Sequence, residues 1–277
     1  MLFCPFRAHM ISEVDLSPRA GSEVRGINLR KITTSEFEQI SQLCFSRGVV
    51  VIRDQFLDAN ELGEFSKLWG QPWLGPLLPA LTGTEAVTTI KNRGKTGTVT
   101  EYWHSDSTFV ENPPAVTMLS AVDVPMVGGD TMWCNQYSVY DALSDGMKRL
   151  IHSLKAVHYD RQRFNVVEGR APYLDSYAHP IVRLHPATQR RSLFISGQAE
   201  HFEEMTVEES SGLLQYLLSR LGQPDHVYRH RWRKGDVVIW DNRCTTHYAV
   251  HDYGQYPRQL HRITVEGEQP KMDLNPP

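Results

Sequence analysis

Short β-type runs separated by strong turn signals are the feature of this 277-residue chain that most restricts its fold. Between residues 86 and 135, such runs alternate with stretches rich in Gly, Pro, Asn and Asp at 91–94, 112–114 and 128–130. The pattern returns near the C-terminus, where residues 227–232 alternate, residues 237–240 are apolar and residues 259–265 complete the series. Several short strands at this spacing predict a sandwich or jelly roll.

Three capping boxes, each an N-cap Ser, Thr or Asp followed three residues later by Glu, predict helices around this β core. They are Ser35-x-x-Glu38, which begins a predicted helix over about 35–47, Asp58-x-x-Glu61 and Thr206-x-x-Glu209. Ser138 is expected to cap a fourth helix, with Tyr140, Leu143, Met147, Leu150 and Ile151 on one side. The predicted fold class is therefore mainly β with flanking helices (α+β).

Length and composition favour a single domain over residues 1–277, since a chain with 40% hydrophobic residues can bury a large core. Residues 158–182 interrupt the regular pattern, because they are polar, aromatic and Pro-containing with weak periodicity. A long irregular segment in a compact domain is typical of an active-site lid, and a mobile surface loop is the alternative.

Charge and cysteine content exclude several classes of function. The net charge is -3 and the basic cluster 229–234 is local, so we expect no nucleic-acid partner. The four cysteines contain no C-x-x-C pair, which argues against disulfides and thiolate zinc sites. The N-terminal stretch 1–7 is too interrupted for a signal peptide, and no apolar run approaches the roughly 18 residues of a membrane span. A cytoplasmic protein without membrane contact is expected.

One His-x-Asp pair and one distant histidine suggest a metal centre. In an extended segment, His104 and Asp106 point to the same face, so an imidazole and a carboxylate can converge on one ion. His247 follows the buried run 237–243 and is expected at the open end of that strand. Two imidazoles and one carboxylate form the ligand set of non-haem Fe(II) oxygenases. An isolated His-x-Asp pair is weak evidence, and the remaining histidines form no second ligand set in the sequence.

Arg258 and Arg262 lie four residues apart in a predicted strand and therefore share a face with Leu260. Two inward guanidiniums are costly to bury unless anions meet them, so they predict carboxylate binding. Salt bridges to the protein's own acids are the alternative. Thr131, which follows the turn 128–130, is positioned to offer a hydroxyl to the same anion.

Several of these motifs together resemble the taurine dioxygenase (TauD/TfdA) family of Fe(II)- and 2-oxoglutarate-dependent dioxygenases. The resemblance extends from about residue 21 to residue 267 and is carried by the stretches 102–109, 113–114, 119–121, 128–133 and 240–249 with the downstream arginines. It implies a double-stranded β-helix (jelly roll). It also implies Fe(II), 2-oxoglutarate and O2 as cofactor and cosubstrates, with hydroxylation of an aliphatic C–H bond and release of succinate and CO2.

The resemblance also assigns roles to individual residues. It makes His104, Asp106 and His247 the iron ligands and gives the distal carboxylate of 2-oxoglutarate to Arg258 and Thr131. Arg262 matches an arginine that lies beside the cosubstrate and faces an anionic group of the substrate.

The substrate is predicted to be a small anion, namely a carboxylate, sulfonate or sulfate. Taurine is disfavoured, because Gly75, Leu78 and Thr100 stand where taurine dioxygenase has a histidine, a tyrosine and an asparagine. Trp73, Leu74, Phe109 and Thr100 are candidate substrate-pocket residues beside Arg262, although such aromatics more often belong to a core. Two alternatives stay open: a natural-product tailoring oxidation on a larger substrate, and a non-catalytic relative that binds metal or ligand. Relatives commonly form dimers or tetramers, so a homo-oligomer is expected.

Overall fold

The computed structural model of the protein describes residues 11–74, 86–92, 101–161 and 175–275. Its strands are β1 Ser12–Asp15, β2 Ser22–Arg25, β3 Val49–Ile52, β4 Thr88–Lys91, β5 Val116–Asp123, β6 Thr131–Asn135, β7 Lys155–Tyr159, β8 Ser176–Pro180, β9 Val182–Leu184, β10 Arg191–Leu193, β11 Ala199–Phe202, β12 Val227–His230, β13 Val237–Asp241, β14 Thr245–Ala249 and β15 Gln259–Val265. Its α-helices are α1 Thr34–Arg47, α2 Ala59–Ser66, α3 Gln136–Asp141, α4 Asp145–Ile151 and α5 Val207–Ser219, and its 3-10 helices are Leu29–Lys31 and Pro224–His226.

The strands form one large sheet and three small ones. The large sheet has the order β1-β2-β3-β13-β5-β15-β4, and a three-stranded sheet has the order β12-β6-β14. A second three-stranded sheet, β11-β7-β8, and the β10-β9 hairpin complete the described strands. The paired strands are antiparallel except for β2 and β3, which run parallel. The prediction of a mainly β protein with flanking helices is confirmed.

The centre of the large sheet is buried on both faces, which explains the unbroken apolar sequence of β3. Val50 and Ile52 pack on the side covered by α1 and α2, together with Ile40 and Leu62. Val49 and Val51 point the other way, into the layer between the large sheet and the β12-β6-β14 sheet. Trp133 and Trp240 also lie in that layer. Since side chains alternate along a strand, a strand with helices behind it and a sheet in front is apolar at every position.

Two of the three predicted capping boxes are confirmed, at Asp58 with Glu61 and at Thr206 with Glu209. The first box was misplaced: α1 is capped by Thr33, which pairs with Glu36. Both Thr33-x-x-Glu36 and the predicted Ser35 box match the pattern, and the extended backbone of Thr33 places the boundary at the earlier one. No helix in these described ranges is long and apolar enough to cross a membrane.

The predicted helix capped by Ser138 is wrong, because the structure has two short helices there. Asn135 caps α3 by accepting hydrogen bonds from the amides of Tyr137 and Ser138. Ser144 caps α4. Ser138 lies inside α3, and its hydroxyl hydrogen-bonds to His226. Serine often caps helices, and for this reason the sequence pattern wrongly suggested that a helix begins there.

The segment 158–182 is not irregular throughout. Its ends belong to β7 and β8, which pair from Lys155 with Pro180 to Tyr159 with Ser176. The pairing brings the two ends of the segment side by side at the edge of the β11-β7-β8 sheet. Residues 162–174 lie outside the described residues, so the lid stays a prediction for that part.

Candidate functional site

Two strand segments that are far apart in sequence bring His104 and His247 together. The amide of His104 donates to the carbonyl of His247 at 3.0 Å, and the reverse bond is 2.7 Å. Their ring centroids are 4.1 Å apart. His247 was expected at the end of the strand 237–243, but the chain turns after β13 and crosses to β14 in the opposing sheet. The histidine therefore reaches the site from the second sheet.

Asp106 completes a group of three buried candidate ligand residues. Its Oδ1 lies 3.7 Å from His247 Nε2, and the candidate ligand atoms of His104, Asp106 and His247 lie within 4.8 Å of one another. The chain is extended only through Ser105, because Asp106 begins a turn in which Ser107 has φ 45°. The predicted convergence of the two side chains is present, although a turn rather than a regular strand produces it.

Burial favours the neutral forms of the two imidazoles, and a hydrogen bond orients the ring of His104. His104 Nδ1 lies 2.8 Å from the carbonyl oxygen of Tyr102, which can only accept, so Nδ1 carries the proton and Nε2 keeps its lone pair. Burial lowers the pKa of His104, and burial lowers the pKa of His247 to about 3. Neutral imidazoles are the form that binds metal ions.

The Asp106 carboxylate is ionised, and it is oriented by one hydrogen bond and one ion pair. Arg262 lies 2.8 Å from its Oδ2, and the Thr117 hydroxyl donates to the same oxygen at 2.7 Å. Burial raises the pKa of Asp106, but Arg262 and the nearby histidines outweigh it and hold the pKa well below its usual range. Two neutral imidazoles and one ionised carboxylate fit a divalent metal of the Fe(II) or Mn(II) type. A salt bridge to one of the protein's own acids was the alternative to carboxylate binding, and the structure shows such a salt bridge between Arg262 and Asp106.

Arg258 occupies a buried corner beside the turn that precedes β6. Its Nε donates to the carbonyl of Gly129 at 3.1 Å, and its guanidinium lies 5.6 Å from the ring centroid of Tyr253. Gly129 has φ +71°, and a Cβ there would lie 3.2 Å from Arg258 Cδ. A side chain at this turn would therefore be strained and would press on the arginine. Within the described ranges, no carboxylate forms an ion pair with Arg258.

Thr131 stands two residues beyond Gly129, at the first position of β6, and is buried. Its hydroxyl oxygen accepts a hydrogen bond from Trp232 Nε1 at 3.0 Å. Because the indole N–H uses a lone pair of the oxygen, the hydroxyl proton remains available to donate. Arg258 and Thr131 are therefore linked to the same short turn, as expected of two groups that share an anion.

The predicted substrate-pocket residues have different surroundings. Phe109 is buried, whereas Trp73 is half-buried and its amide donates to the Thr264 carbonyl at 2.8 Å. Leu74 is 73% exposed. Thr100, like Gly75 and Leu78, lies outside the described residues, so its role stays a prediction.

Sequence reasoning missed a second buried group, formed by His185, Asp241 and Cys244. His185 Nε2 lies 2.9 Å from Asp241 Oδ2, while its Nδ1 accepts from two backbone amides. Arg243 donates to both oxygens of the same carboxylate. Burial raises the pKa of Cys244 well above its ordinary value. With its carboxylate saturated and its thiol protonated, this group is a structural network.

The contacts of Thr117, Gly129 and Tyr253 were also missed. Thr117 has the appearance of an ordinary strand residue, and only the pairing of β5 with its neighbours places it beside Asp106. The Gly128-Gly129 pair was the one available signal for a backbone that approaches another group closely.

Comparison with known proteins identifies the family of this chain. The model of the "Taurine catabolism dioxygenase TauD, TfdA family" matches residues 13–264. The chain belongs to the TauD/TfdA dioxygenase family. The predicted family is thereby confirmed.

Similar proteins agree with this assignment over most of their length. An α-ketoglutarate-dependent sulfate ester dioxygenase from Pseudomonas putida is 34% identical over 278 residues, 93% of this chain and 91% of that protein. A taurine dioxygenase structure from Burkholderia xenovorans has a TM-score of 0.83 and 32% identity, and covers 94% of this chain and 92% of its own. The structure of AAD-2 in complex with Mn(II) and N-oxalylglycine has a TM-score of 0.81 and 30% identity, with coverage of 94% and 99%. The predicted jelly-roll fold is confirmed.

Proposed function

We propose that this protein is an Fe(II)- and 2-oxoglutarate-dependent dioxygenase that hydroxylates an aliphatic C–H bond of a small anionic substrate. The observation that carries the proposal is the convergence of His104, Asp106 and His247, with Arg262 paired to Asp106. In the overall reaction, substrate, O2 and 2-oxoglutarate give the hydroxylated substrate, succinate and CO2. A hydrolytic metal site would not need Arg258 and Thr131 to bind the carboxylate of a cosubstrate.

The residues of the metal centre have separable tasks in this proposal. His104 Nε2, His247 Nε2 and Asp106 Oδ1 would hold the ferrous ion, since the second oxygen of Asp106 is engaged by the Thr117 hydroxyl and by Arg262. When bound, iron would supply the site at which O2, with 2-oxoglutarate as the second electron donor, is used to hydroxylate the C–H bond. The chain's own work is to bind, to orient and to exclude water around the reacting carbon.

Arg258 and Thr131 would bind the distal carboxylate of 2-oxoglutarate. The guanidinium is buried, without an acidic partner among the described side chains, and its fork suits a carboxylate. The Thr131 hydroxyl proton is free to join the same anion, because the Thr131 oxygen already accepts from Trp232. Because the buried Arg258 cation has no acidic partner among the described side chains, pairing with the cosubstrate carboxylate would strongly favour binding.

Arg262 would attract the anionic group of the substrate to the edge of the metal centre. One terminal nitrogen contacts Asp106, which leaves the other donors of its planar guanidinium for a sulfate, sulfonate or carboxylate. The relative from Pseudomonas putida acts on sulfate esters, which supports an oxidised-sulfur anion here. Hydroxylation of the carbon beside the ester oxygen would release sulfate as a carbonyl group forms.

A screen for substrate-triggered succinate release tests this proposal. Alkyl sulfates, alkyl sulfonates including taurine, and phenoxyacetates are each compared with the neutral alcohol of the same carbon skeleton. We expect at least one anion to stimulate Fe(II)-dependent succinate formation and its neutral analogue not to do so. Stimulation by neutral compounds alone would refute the anionic substrate class. Metal and 2-oxoglutarate binding without turnover on any compound would favour a non-catalytic relative.

A further inference from the structure

Three buried side chains form a hydrogen-bonded line that ends on Asp106. Trp240 Nε1 donates to Asn242 Oδ1 at 2.9 Å, and Asn242 Nδ2 donates to Thr117 Oγ1 at 2.9 Å. Thr117 Oγ1 then donates to Asp106 Oδ2 at 2.7 Å. Trp240, Asn242 and Thr117 are at most 2% exposed, so water does not compete for these bonds.

Chemistry fixes the direction of every bond in this line. The indole N–H of Trp240 can only donate, so the amide atom of Asn242 that faces it is the oxygen. The amide NH2 of Asn242 therefore faces Thr117 and occupies a lone pair of its hydroxyl oxygen. The hydroxyl proton of Thr117 is left for the ionised carboxylate. No member can reverse its role without breaking a buried hydrogen bond.

Strand pairing holds these three side chains in place, and it sets them beside both Asp106 and His247. Trp240 in β13 lies directly opposite Thr117 in β5. Asn242 follows Asp241 at the crossover between the two sheets. The Trp240 ring centroid is also 5.0 Å from that of His247. One crossover segment therefore supports a carboxylate ligand through hydrogen bonds and a histidine ligand through packing.

We propose that Trp240, Asn242 and Thr117 act as a positioning relay that fixes Asp106 as a one-oxygen metal ligand. The hydrogen bond from Thr117 and the ion pair with Arg262 both engage Oδ2, whereas Oδ1 lies 3.7 Å from His247 Nε2. A carboxylate free to rotate could bind through both oxygens and consume a coordination position that the cosubstrate needs. The relay removes that freedom. This inference rests on the proposed metal centre.

The chain offers a matched control for a test at Thr117. Thr264 in β15 lies directly opposite Thr117, is similarly buried, and its hydroxyl has no partner within the described part of the chain. Thr117→Val and Thr264→Val make the same isosteric change on adjacent strands. Thr117→Ser keeps the donor. Anaerobic Mn(II) titration by calorimetry reports metal affinity without catalysis, and thermal unfolding of the metal-free proteins reports their fold.

Outer-shell partners of metal ligands typically change metal affinity by about 10- to 100-fold. We expect Thr117→Val to weaken Mn(II) binding at least about 10-fold. Thr117→Ser should retain binding within about 3-fold, and Thr264→Val should match the wild type. Unchanged affinity in Thr117→Val, or an equal loss in Thr264→Val, would overturn the relay. Wild-type protein that binds no Mn(II) would instead refute the proposed metal centre.

Asn242 gives a second, independent measurement. Asn242→Ala should weaken Mn(II) binding, because it removes the amide that donates to Thr117 and the oxygen that accepts from the Asp106 backbone amide at 3.5 Å. Adding it to Thr117→Val should cause less than an additive loss, because the two residues share the bond at the Thr117 hydroxyl. Additive losses would show that Asn242 acts by another route and would overturn the relay. If Thr117→Val does not fold, Asn242→Ala with wild-type affinity overturns it as well.

Discussion

Replacing Arg258 by methionine separates cosubstrate binding from folding. The arginine is buried, and its hydrogen bond in the structure goes to a backbone carbonyl of Gly129. Among the described residues it has no acidic partner, and its burial removes the cation from water and lowers its pKa. Methionine keeps much of the aliphatic stem and removes the buried charge. We therefore expect the variant without cosubstrate to be at least as stable as the wild type.

The loss in 2-oxoglutarate binding follows from the same burial. Truncating one partner of a buried, hydrogen-bonded charge pair costs about 2–5 kcal/mol, which weakens binding by roughly 30-fold to several thousand-fold. At a cosubstrate concentration of 100 times the dissociation constant, the wild type gains about 2.7 kcal/mol in stability. If the constant of the variant rises about 100-fold, the gain at that concentration falls to about 0.4 kcal/mol.

Thermal unfolding of the Mn(II)-loaded protein, with and without 2-oxoglutarate, measures this difference. Arg229→Met is the control, because Arg229 is half exposed and pairs with Asp130 near the same turn. We expect the cosubstrate to stabilise the wild type and Arg229→Met equally and to leave Arg258→Met almost unchanged. A full cosubstrate effect in Arg258→Met would refute the assignment of this corner to the carboxylate.

Three further predictions concern the metal ligands, acid stability and the C-terminal segment. His104→Ala or Asp106→Ala should abolish Fe(II)-dependent succinate formation with an unchanged circular dichroism spectrum, and wild-type turnover in either variant would disprove its role as a ligand. Burial lowers the pKa of His158 to about 3 and that of His179 to about 4. Below the ordinary value near 6.5 the unfolded chain therefore binds more protons than the folded one, and stability should fall between pH 7 and pH 5 by about 2 kcal/mol per histidine. His179→Gln should reduce that fall in urea unfolding, and identical pH profiles would contradict the explanation. Glu268→Gln should destabilise the protein by about 1–2 kcal/mol, because Glu268 pairs with buried Arg183 but is itself partly exposed. Mn(II) affinity should stay constant in that variant, and unchanged urea unfolding would show that the pair contributes nothing.

Periodicity predicted the elements whose apolar pattern matches their environment. The predicted apolar run 237–240 lies in the fully buried strand β13, and the predicted run 259–265 matches the bounds of β15. Predictions of helix boundaries were wrong where more than one local hydrogen-bonding arrangement fits the sequence. Thr33 and Ser35 both begin acceptable capping boxes, and Ser138 can serve as a cap or bond inside a helix. Tertiary contacts decide between such alternatives.

The sequence by itself determined the chemical inventory: two histidines, one aspartate and two arginines in family-specific motifs. The tertiary structure decided how these groups are paired. It placed His247 on the opposing sheet, joined Arg262 to Asp106 and left Arg258 apart from the described carboxylates. It also set Thr117 behind Asp106. Residue types follow from local sequence, whereas distances between them follow from strand pairing across more than a hundred residues, which no local pattern contains.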